Sequence, residues 1–472
     1  MKTTALTLAL ALTLAVTARV LAAEPAAVDA VFARFTRPGS PGASLVVIRD
    51  GRIVYERGYG HATLTPARPV TPETSFYIGS VSKQFTAAAI ALLHQRGQVG
   101  LDDDVRRYVP ELPDYGRTIT VRHCVHHTSG LRDYLALRDL AGADPNATFG
   151  DAEVLALLRR QKGLGFEPGA RHSYSNSGYF ILSLIVRRVT GQSLRDFAAA
   201  NLFGPLGMTT AQFRDRHTQP IPHRADGYKP AGAGFALDNP NFDVVGAGGV
   251  FMTARDFLAW DQNFYSAKVG GPAFIALLQT PGTLDDGTRL DYAFGLRVGR
   301  YRGLDLVEHS GAYGGFRAHV IRFPAQRFSV VCFTNLSTAL PARLVRQVAD
   351  LYLADALTGP AAAPEAAPAA PPSPRRATAP RGPVDLAAYV GDYRSDELDV
   401  TYGITAGRNP GELLLRPHRR PPMNLVPAEG EAFTATAPGH SLQLTFQRGA
   451  DGRVTGFTSV AGRAPGLVFE RQ

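Results

Sequence analysis

The sequence predicts an α+β domain with one antiparallel sheet flanked by helices and a helical subdomain inserted into it, followed by a small all-β barrel domain. Three observations carry this. Strand-like segments occur at 44–59 and again at 292–334, with mostly helical patterning between them. A stretch at 359–383 is dominated by alanine and proline and lacks the large apolar residues of a core. Beyond it, short alternating segments are separated by turn residues.

The N-terminus carries Lys2, an apolar run from Ala5 to Val16 and small residues ending in Ala22-Ala23. This is the layout of a secretory signal peptide over 1–22, and the run is shorter than the ~20 residues of a membrane span. A periplasmic or secreted protein with no stable membrane insertion is therefore expected. A short helix follows near 26–35. Ser44 to Ile48 and Ile53 to Tyr59 then flank Asp50-Gly51, a strong hairpin signal. Helices are predicted at 80–96, 151–161, 177–190 and 254–265, strands at 292–299, 304–309, 315–322 and 328–334, and a last amphipathic helix at about 342–356. The expected domains are thus 23–358 and 384–472, joined by a semi-rigid linker. In the second domain, strands are predicted at 400–405, 413–416, 433–436, 442–446 and 454–457.

Apolar residues make up 45% and charged residues 19%, an ordinary globular balance. The formal charge is +9, but the arginines are spread along the chain and no nucleic-acid-binding signature accompanies them, so a solvated basic surface is expected. Cys124 and Cys332 each lie in an apolar segment; they could pair in an oxidising compartment, but two free buried thiols fit better in a chain with so much core. No zinc-ligand spacing occurs, and no metal or cofactor is expected. The oligomeric state has no signature.

The chemistry lies in three short motifs. Gly79-Ser80-Val81-Ser82-Lys83 opens a strongly apolar helix. A serine at a helix start sits where free N–H groups favour a developing oxyanion, and a lysine three residues on shares its face. Buried there, the ammonium loses its hydration and its pKa falls, so it can take the serine proton. Alone, the spacing also describes a helix cap and a solvated lysine. Lysine is scarce, however, occurring only at positions 2, 83, 162, 229 and 268, which makes a chance match less common.

Tyr174-Ser175-Asn176 precedes another apolar helix. A tyrosine beside a lysine can act as a phenolate-like base, and an asparagine amide can hold a substrate amide; a turn leading into a helix cap is the plainer alternative. His309-Ser310-Gly311 ends an apolar strand and is followed by Ala312. Such an edge can bind an extended substrate, and the Ala312 N–H can complete an oxyanion hole. The plainer alternative is an exposed strand end.

Together and in this order, the motifs resemble the beta-lactamase-related serine hydrolases of peptidase family S12, which include class C β-lactamases, D-alanyl-D-alanine carboxypeptidases, D-aminopeptidases and related esterases. The resemblance covers about residues 25–357 and extends to Ile119–His123 leading to His127-Thr128-Ser129-Gly130-Leu131, to Pro168-Gly169, and to Gly248-Gly249-Val250 leading through Asp256 to Trp260. It implies the β-lactamase/transpeptidase-like fold, with Ser80 as nucleophile, Lys83 as its partner and Tyr174 as proton shuttle. It further implies Asn176, His309, Ser310 and Gly311 as substrate-binding residues, and the backbone N–H groups of Ser80 and Ala312 as the oxyanion hole.

One departure matters. β-Lactamases and many carboxypeptidases of this type carry Lys-Thr-Gly where this chain has His309-Ser310-Gly311. Histidine near its usual pKa is largely neutral at pH 7 and offers a substrate carboxylate no permanent charge. The expected activity is therefore that of a D-amino-acid peptidase or esterase acting on a small peptide, amide or ester. The alternatives are a β-lactamase or D-alanyl-D-alanine carboxypeptidase, or a non-catalytic binding or sensing protein of the same fold. Other hydrolase schemes lack their Gly-x-Ser-x-Gly or His-Glu-x-x-His motifs. The Tyr389–Tyr393 segment resembles the opening of the lipocalin-like domains appended to some family members.

Overall fold

The computed structural model describes residues 24–360, 385–409, 411–437 and 440–472. The expected leader at 1–22 and nearly all of the expected linker lie outside these residues.

The main sheet is six-stranded and antiparallel, in the spatial order Arg297–Tyr301, Leu304–Tyr313, Phe316–Phe323, Phe328–Thr334, Ala43–Arg49, Arg52–Tyr59. The two ends of the domain meet at its centre, where Val46 lies opposite Val331 and Ala43 opposite Thr334. Both central strands read as continuous apolar runs because the sheet is covered on both faces. Alternate side chains separate the two cores. Leu45, Val47, Val330 and Cys332 pack beneath the terminal helices Pro25–Val31 and Pro341–Tyr352, against Val28, Val345 and Val348. Val46, Ile48, Val331 and Phe333 face the opposite way, into the core shared with helix Lys83–Gln95 and the helical subdomain. Cys124 and Cys332 are both buried and unpaired.

The predicted strand at 292–299 begins only at Arg297. Tyr292, Ala293 and Phe294 are buried, but in a loop, because Gly295 turns the chain at φ +69° against the start of helix Lys83–Gln95. An added Cβ on Gly295 would lie 2.6 Å from the Gln84 nitrogen, so the loop and the helix approach too closely for any other residue.

The C-terminal domain is a closed barrel of eight antiparallel strands, each paired with its neighbours in sequence. Its first and last strands, Gly391–Ser395 and Ala464–Arg471, close the ring through the pairs Tyr393–Arg471 and Arg394–Glu470. Up-and-down closure of this kind leaves no open edge. Tyr393, Phe433, Phe446, Phe457 and Phe469 fill the interior, with Phe457 and Phe469 stacked at 4.6 Å. Gly391–Ser395, Met423–Pro427 and Ala464–Arg471 were not predicted as strands; the last two contain Pro427 and Pro465-Gly466, which weaken a strand pattern read from sequence. No helix among the described residues is long and apolar enough to cross a membrane.

The barrel is docked on the helical subdomain. Arg132 and Glu397, each at most 4% exposed, form an ion pair at 2.5 Å. Arg132 also donates to the carbonyls of Pro465 and Gly466, each at 2.8 Å. Tyr402 of the barrel donates to the Leu140 carbonyl at 2.6 Å.

Candidate active site

Ser80 lies in the 3-10 turn Gly79–Ser82, which runs directly into helix Lys83–Gln95. The short strand Phe76–Tyr77, paired to Val250–Met252, delivers the chain to this turn. Gly79 takes φ +55°, and a Cβ there would lie 2.6 Å from the Ala312 nitrogen. A Cβ on Gly311 would lie 2.0 Å from the Ile78 carbonyl oxygen and 3.0 Å from the Ser80 nitrogen. Two glycines thus let the backbone at Ser80 press against the backbone at Ala312, which brings the two expected oxyanion-hole residues together. The helix behind Ser80 is held by Trp260, whose indole N–H donates to Gln84 at 2.9 Å, and by Thr86, which donates to the Gly246 carbonyl at 2.8 Å.

Lys83 is completely buried. Its Nζ lies 3.1 Å from Ser80 Oγ, 2.9 Å from Asn176 Oδ1 and 2.6 Å from the Ala247 carbonyl oxygen. Burial holds its pKa well below the usual lysine range; the Asp133 charge opposes this and the Arg463 charge adds to it. In the neutral form that the lowered pKa favours, its two N–H groups can serve the two carbonyl-type oxygens, which can only accept, and its lone pair can face the Ser80 hydroxyl.

Asn176 begins helix Asn176–Thr190. Its carboxamide oxygen holds Lys83, while both its backbone N–H and its Nδ2 donate to Asp133 Oδ2 at 2.8 Å. Asp133, wholly buried, also caps the helix Tyr134–Leu140 through Oδ1. Tyr174 lies with Lys83 Nζ 4.8 Å from its ring centre and packs, tilted, against His127 with ring centres 4.1 Å apart. Burial raises the Tyr174 pKa, only partly offset by the nearby Ser80 hydroxyl. The phenol therefore keeps its proton at neutral pH, and a phenolate role is disfavoured relative to that of a protonated relay.

The third motif occupies the strand Leu304–Tyr313. Its outer neighbour Arg297–Tyr301 pairs only as far as Glu308, so residues 309–313 have no ladder partner on that edge. Ser310, Gly311 and Ala312 line the cavity there. The His309 ring is 5% exposed and engaged internally. Its Nδ1 is 2.7 Å from the Ser310 carbonyl oxygen and must donate to it; its Nε2, 3.0 Å from the Tyr292 hydroxyl, then accepts. Burial, reinforced by Lys83, pushes the His309 pKa down to about 3. The imidazole is neutral, as expected from the sequence, but because of burial rather than its ordinary pKa.

These groups surround an open cavity of about 390 Å³. Ser80, Tyr174, Asn176, His309, Ser310, Gly311 and Ala312 all line it, and Lys83 lies beneath Ser80. The structure adds residues that the sequence did not single out: Asp133, Tyr292, Arg297 and Arg463. Asp133 follows two residues after the noted His127–Leu131 segment, so its position was the readable signal. Arg463 had none, because nothing local ties a barrel turn to Asp133 and Tyr174, more than 280 residues away. Among the described residues, no group of three or more His, Cys, Asp or Glu side chains could hold a metal ion.

The family model described as Beta-lactamase matches residues 28–355. A D-aminopeptidase of Gluconobacter oxydans (strain 621H) is 32% identical over 315 residues, which is 66% of this chain and 59% of that protein. The matched region thus spans little more than half the length of this relative. The octameric penicillin-binding protein homologue from Pyrococcus abyssi superposes with a TM-score of 0.61 at 22% identity, over 94% of this chain and 99% of that one. The D-amino acid amidase from Ochrobactrum anthropi SV3, complexed with D-phenylalanine, gives a TM-score of 0.58 at 22% identity, over 70% of this chain and 99% of that one. With the Ser-x-x-Lys turn, the Tyr-x-Asn segment and the His-Ser-Gly strand gathered on one cavity, the chain belongs to the beta-lactamase family of serine hydrolases.

Proposed function

We propose that the protein is an exported serine hydrolase that forms an acyl-enzyme on Ser80 and acts on small peptides, amides or esters, with D-amino-acid peptides as its preferred class. The observation that carries this reading is the contact of 3.1 Å between Ser80 Oγ and the buried Lys83 Nζ. The D-aminopeptidase relative supports the choice of substrate class. Export rests on the N-terminal Lys2 and the Ala5–Val16 run.

Neutral Lys83 takes the Ser80 proton as Oγ attacks the substrate carbonyl. The backbone N–H groups of Ser80 and Ala312 receive the developing oxyanion, with no reorganisation needed at the moment of attack. Tyr174, protonated and beside both groups, passes its proton to the leaving amine or alkoxide and is reprotonated by Lys83, which returns to the neutral amine. Water then attacks the ester on Ser80 and gives its proton to Lys83, which returns it through Tyr174 to Ser80 Oγ as the acid product leaves. Asn176 keeps Lys83 in place, and the free strand edge at 309–313 aligns the substrate backbone.

The test is covalent. A fluorophosphonate should label the wild-type protein on the peptide containing Ser80, and Ser80→Ala should lose both labelling and turnover by several orders of magnitude. An adduct on Ser82 or Ser310, or undiminished turnover by Ser80→Ala, would overturn the mechanism.

A further inference from the structure

The barrel contributes a residue to the catalytic cavity. Its last two strands, Val454–Ala461 and Ala464–Arg471, are joined by the two-residue turn Gly462-Arg463, with Ala461 paired to Ala464. Gly462 takes φ +48°, the left-handed conformation that tight hairpin turns place on glycine. The turn is gripped by consecutive residues of the helical subdomain. Arg132 takes the carbonyls of Pro465 and Gly466, and the Asp133 backbone N–H donates to the Arg463 carbonyl at 3.0 Å. The Arg463 side chain then follows the cavity wall, with Nη1 3.2 Å from Asp133 Oδ2 and its guanidinium carbon 5.6 Å from the centre of the Tyr174 ring.

Charge gives this placement its meaning. Arg463 and Arg297 are the charged side chains that line the cavity, and no carboxylate does so among the described residues. Arg297 also pairs, with Asp291 at 2.6 Å, but both side chains of that pair are about half exposed, where solvent screens the charge, whereas Arg463 is anchored to a wholly buried carboxylate. Asp133 lies wholly buried beneath Asn176 and is shared with that residue's two amide donors, so it is not available to a substrate ammonium. The Arg463 side chain remains 42% exposed, and a guanidinium offers five N–H donors, of which Nη1 serves the ion pair. A planar fork with donors to spare suits a carboxylate.

We infer that Arg463 is a substrate-binding residue supplied by the barrel, and that the enzyme prefers substrates carrying a free carboxylate over neutral or cationic ones. This rests on the hydrolase reading above and narrows it: the charge absent from the strand at His309 comes instead from the barrel turn. Within D-amino-acid peptides, it favours those with an ionised carboxyl end over amides and anilides whose only charge is an ammonium.

Two matched ester pairs test the inference with the full chain. Mono-p-nitrophenyl succinate against p-nitrophenyl butyrate varies charge on the acyl side; 3-acetoxybenzoate against phenyl acetate varies it on the leaving side. In at least one pair, the wild type should favour the anionic member about 10- to 100-fold in kcat/KM, mostly through KM, and added salt should shrink the preference. Arg463→Ala should remove most of that ratio, Arg463→Lys should retain part of it, and Arg463→Glu should invert it. Hydrolysis without a charge preference, or equal losses for both members in all three variants, would overturn the inference and leave the hydrolase reading intact. Absence of Ser80-dependent hydrolysis for all four esters would instead overturn the hydrolase reading, and this inference with it.

Discussion

Arg463 of the barrel and Asn176 of the helical subdomain meet on the same atom, Oδ2 of Asp133. Since Asn176 in turn holds Lys83, the buried carboxylate links the barrel to the proposed proton acceptor. Asp133→Asn should therefore damage both stability and turnover. An amide has one acceptor end, whereas Asp133 accepts from Asn176 on one oxygen and from Leu135 and Ala136 on the other. A loss of about 3 kcal/mol in urea unfolding is expected, with kcat down roughly 10- to 100-fold. Unchanged kcat in a correctly folded variant would show that Asn176 does not depend on Asp133.

The Arg132–Glu397 pair predicts strong coupling between the two domains. Breaking one partner of a buried pair leaves the other charge uncompensated, at a cost of about 3–5 kcal/mol. Arg132→Ala and Glu397→Ala should each lower the unfolding midpoint, and the double variant should lose much less than the sum. Additive losses would mean that the two side chains are held independently.

Gly311→Ala tests the backbone contact behind Ser80. The new Cβ would lie 2.0 Å from the Ile78 carbonyl oxygen, which is impossible without separating the strand from the turn. Removal of one oxyanion donor typically costs about 10²–10³ in kcat, and this variant should lose at least the lower figure while fluorophosphonate labelling slows in parallel. Gly97→Ala, at φ +69° but with no atom within 4 Å of the added Cβ, serves as the control: a small stability loss and no effect on kcat.

Acid should destabilise the protein earlier than carboxylate titration alone would predict. Burial pushes His309 down to about 3 and His126 down to about 4, against 6.5 for an ordinary histidine. Between those values the unfolded chain binds protons that the folded chain refuses, so stability is full above pH ~6.5 and falls as pH drops toward the folded values. The slope approaches about 1.4 kcal/mol per pH unit for each group. Unfolding followed from pH 7 to 5 should show this slope, and His126→Gln should reduce it. An unchanged slope in that variant would mean that His126 is protonated in the folded protein.

Much of the site was legible because its parts are local. Ser80 with Lys83, and Tyr174 with Asn176, are read from one turn of helix and one helix start. The central strands were legible too, since a sheet covered on both faces writes itself as runs such as Phe328–Thr334. What escaped depends on tertiary contact. Tyr292 looks like a strand residue until Gly295 turns it inward to hold His309. Lys83 is expected from the sequence to be buried with a lowered pKa, but the oxygens that surround it, Asn176 Oδ1 and the Ala247 carbonyl, are brought there only by the fold. Arg463 is one arginine among many until the barrel closes and carries its turn to Asp133.

That closure has a consequence for how the enzyme comes into being. The barrel ring is sealed by Glu470 and Arg471, far downstream of Ser80 in the sequence, and the turn it carries grips Arg132 and Asp133. A polypeptide emerging N-terminus first could fold its sheet and bring Ser80 to Lys83 long before this turn exists. Until the final strand arrives, Arg132 faces neither Glu397 nor the turn carbonyls, and the cavity lacks Arg463. The inferred contact of Arg463 with substrate thus forms only after the barrel has closed, and a product truncated before Glu470 would be the form most exposed to quality-control proteolysis.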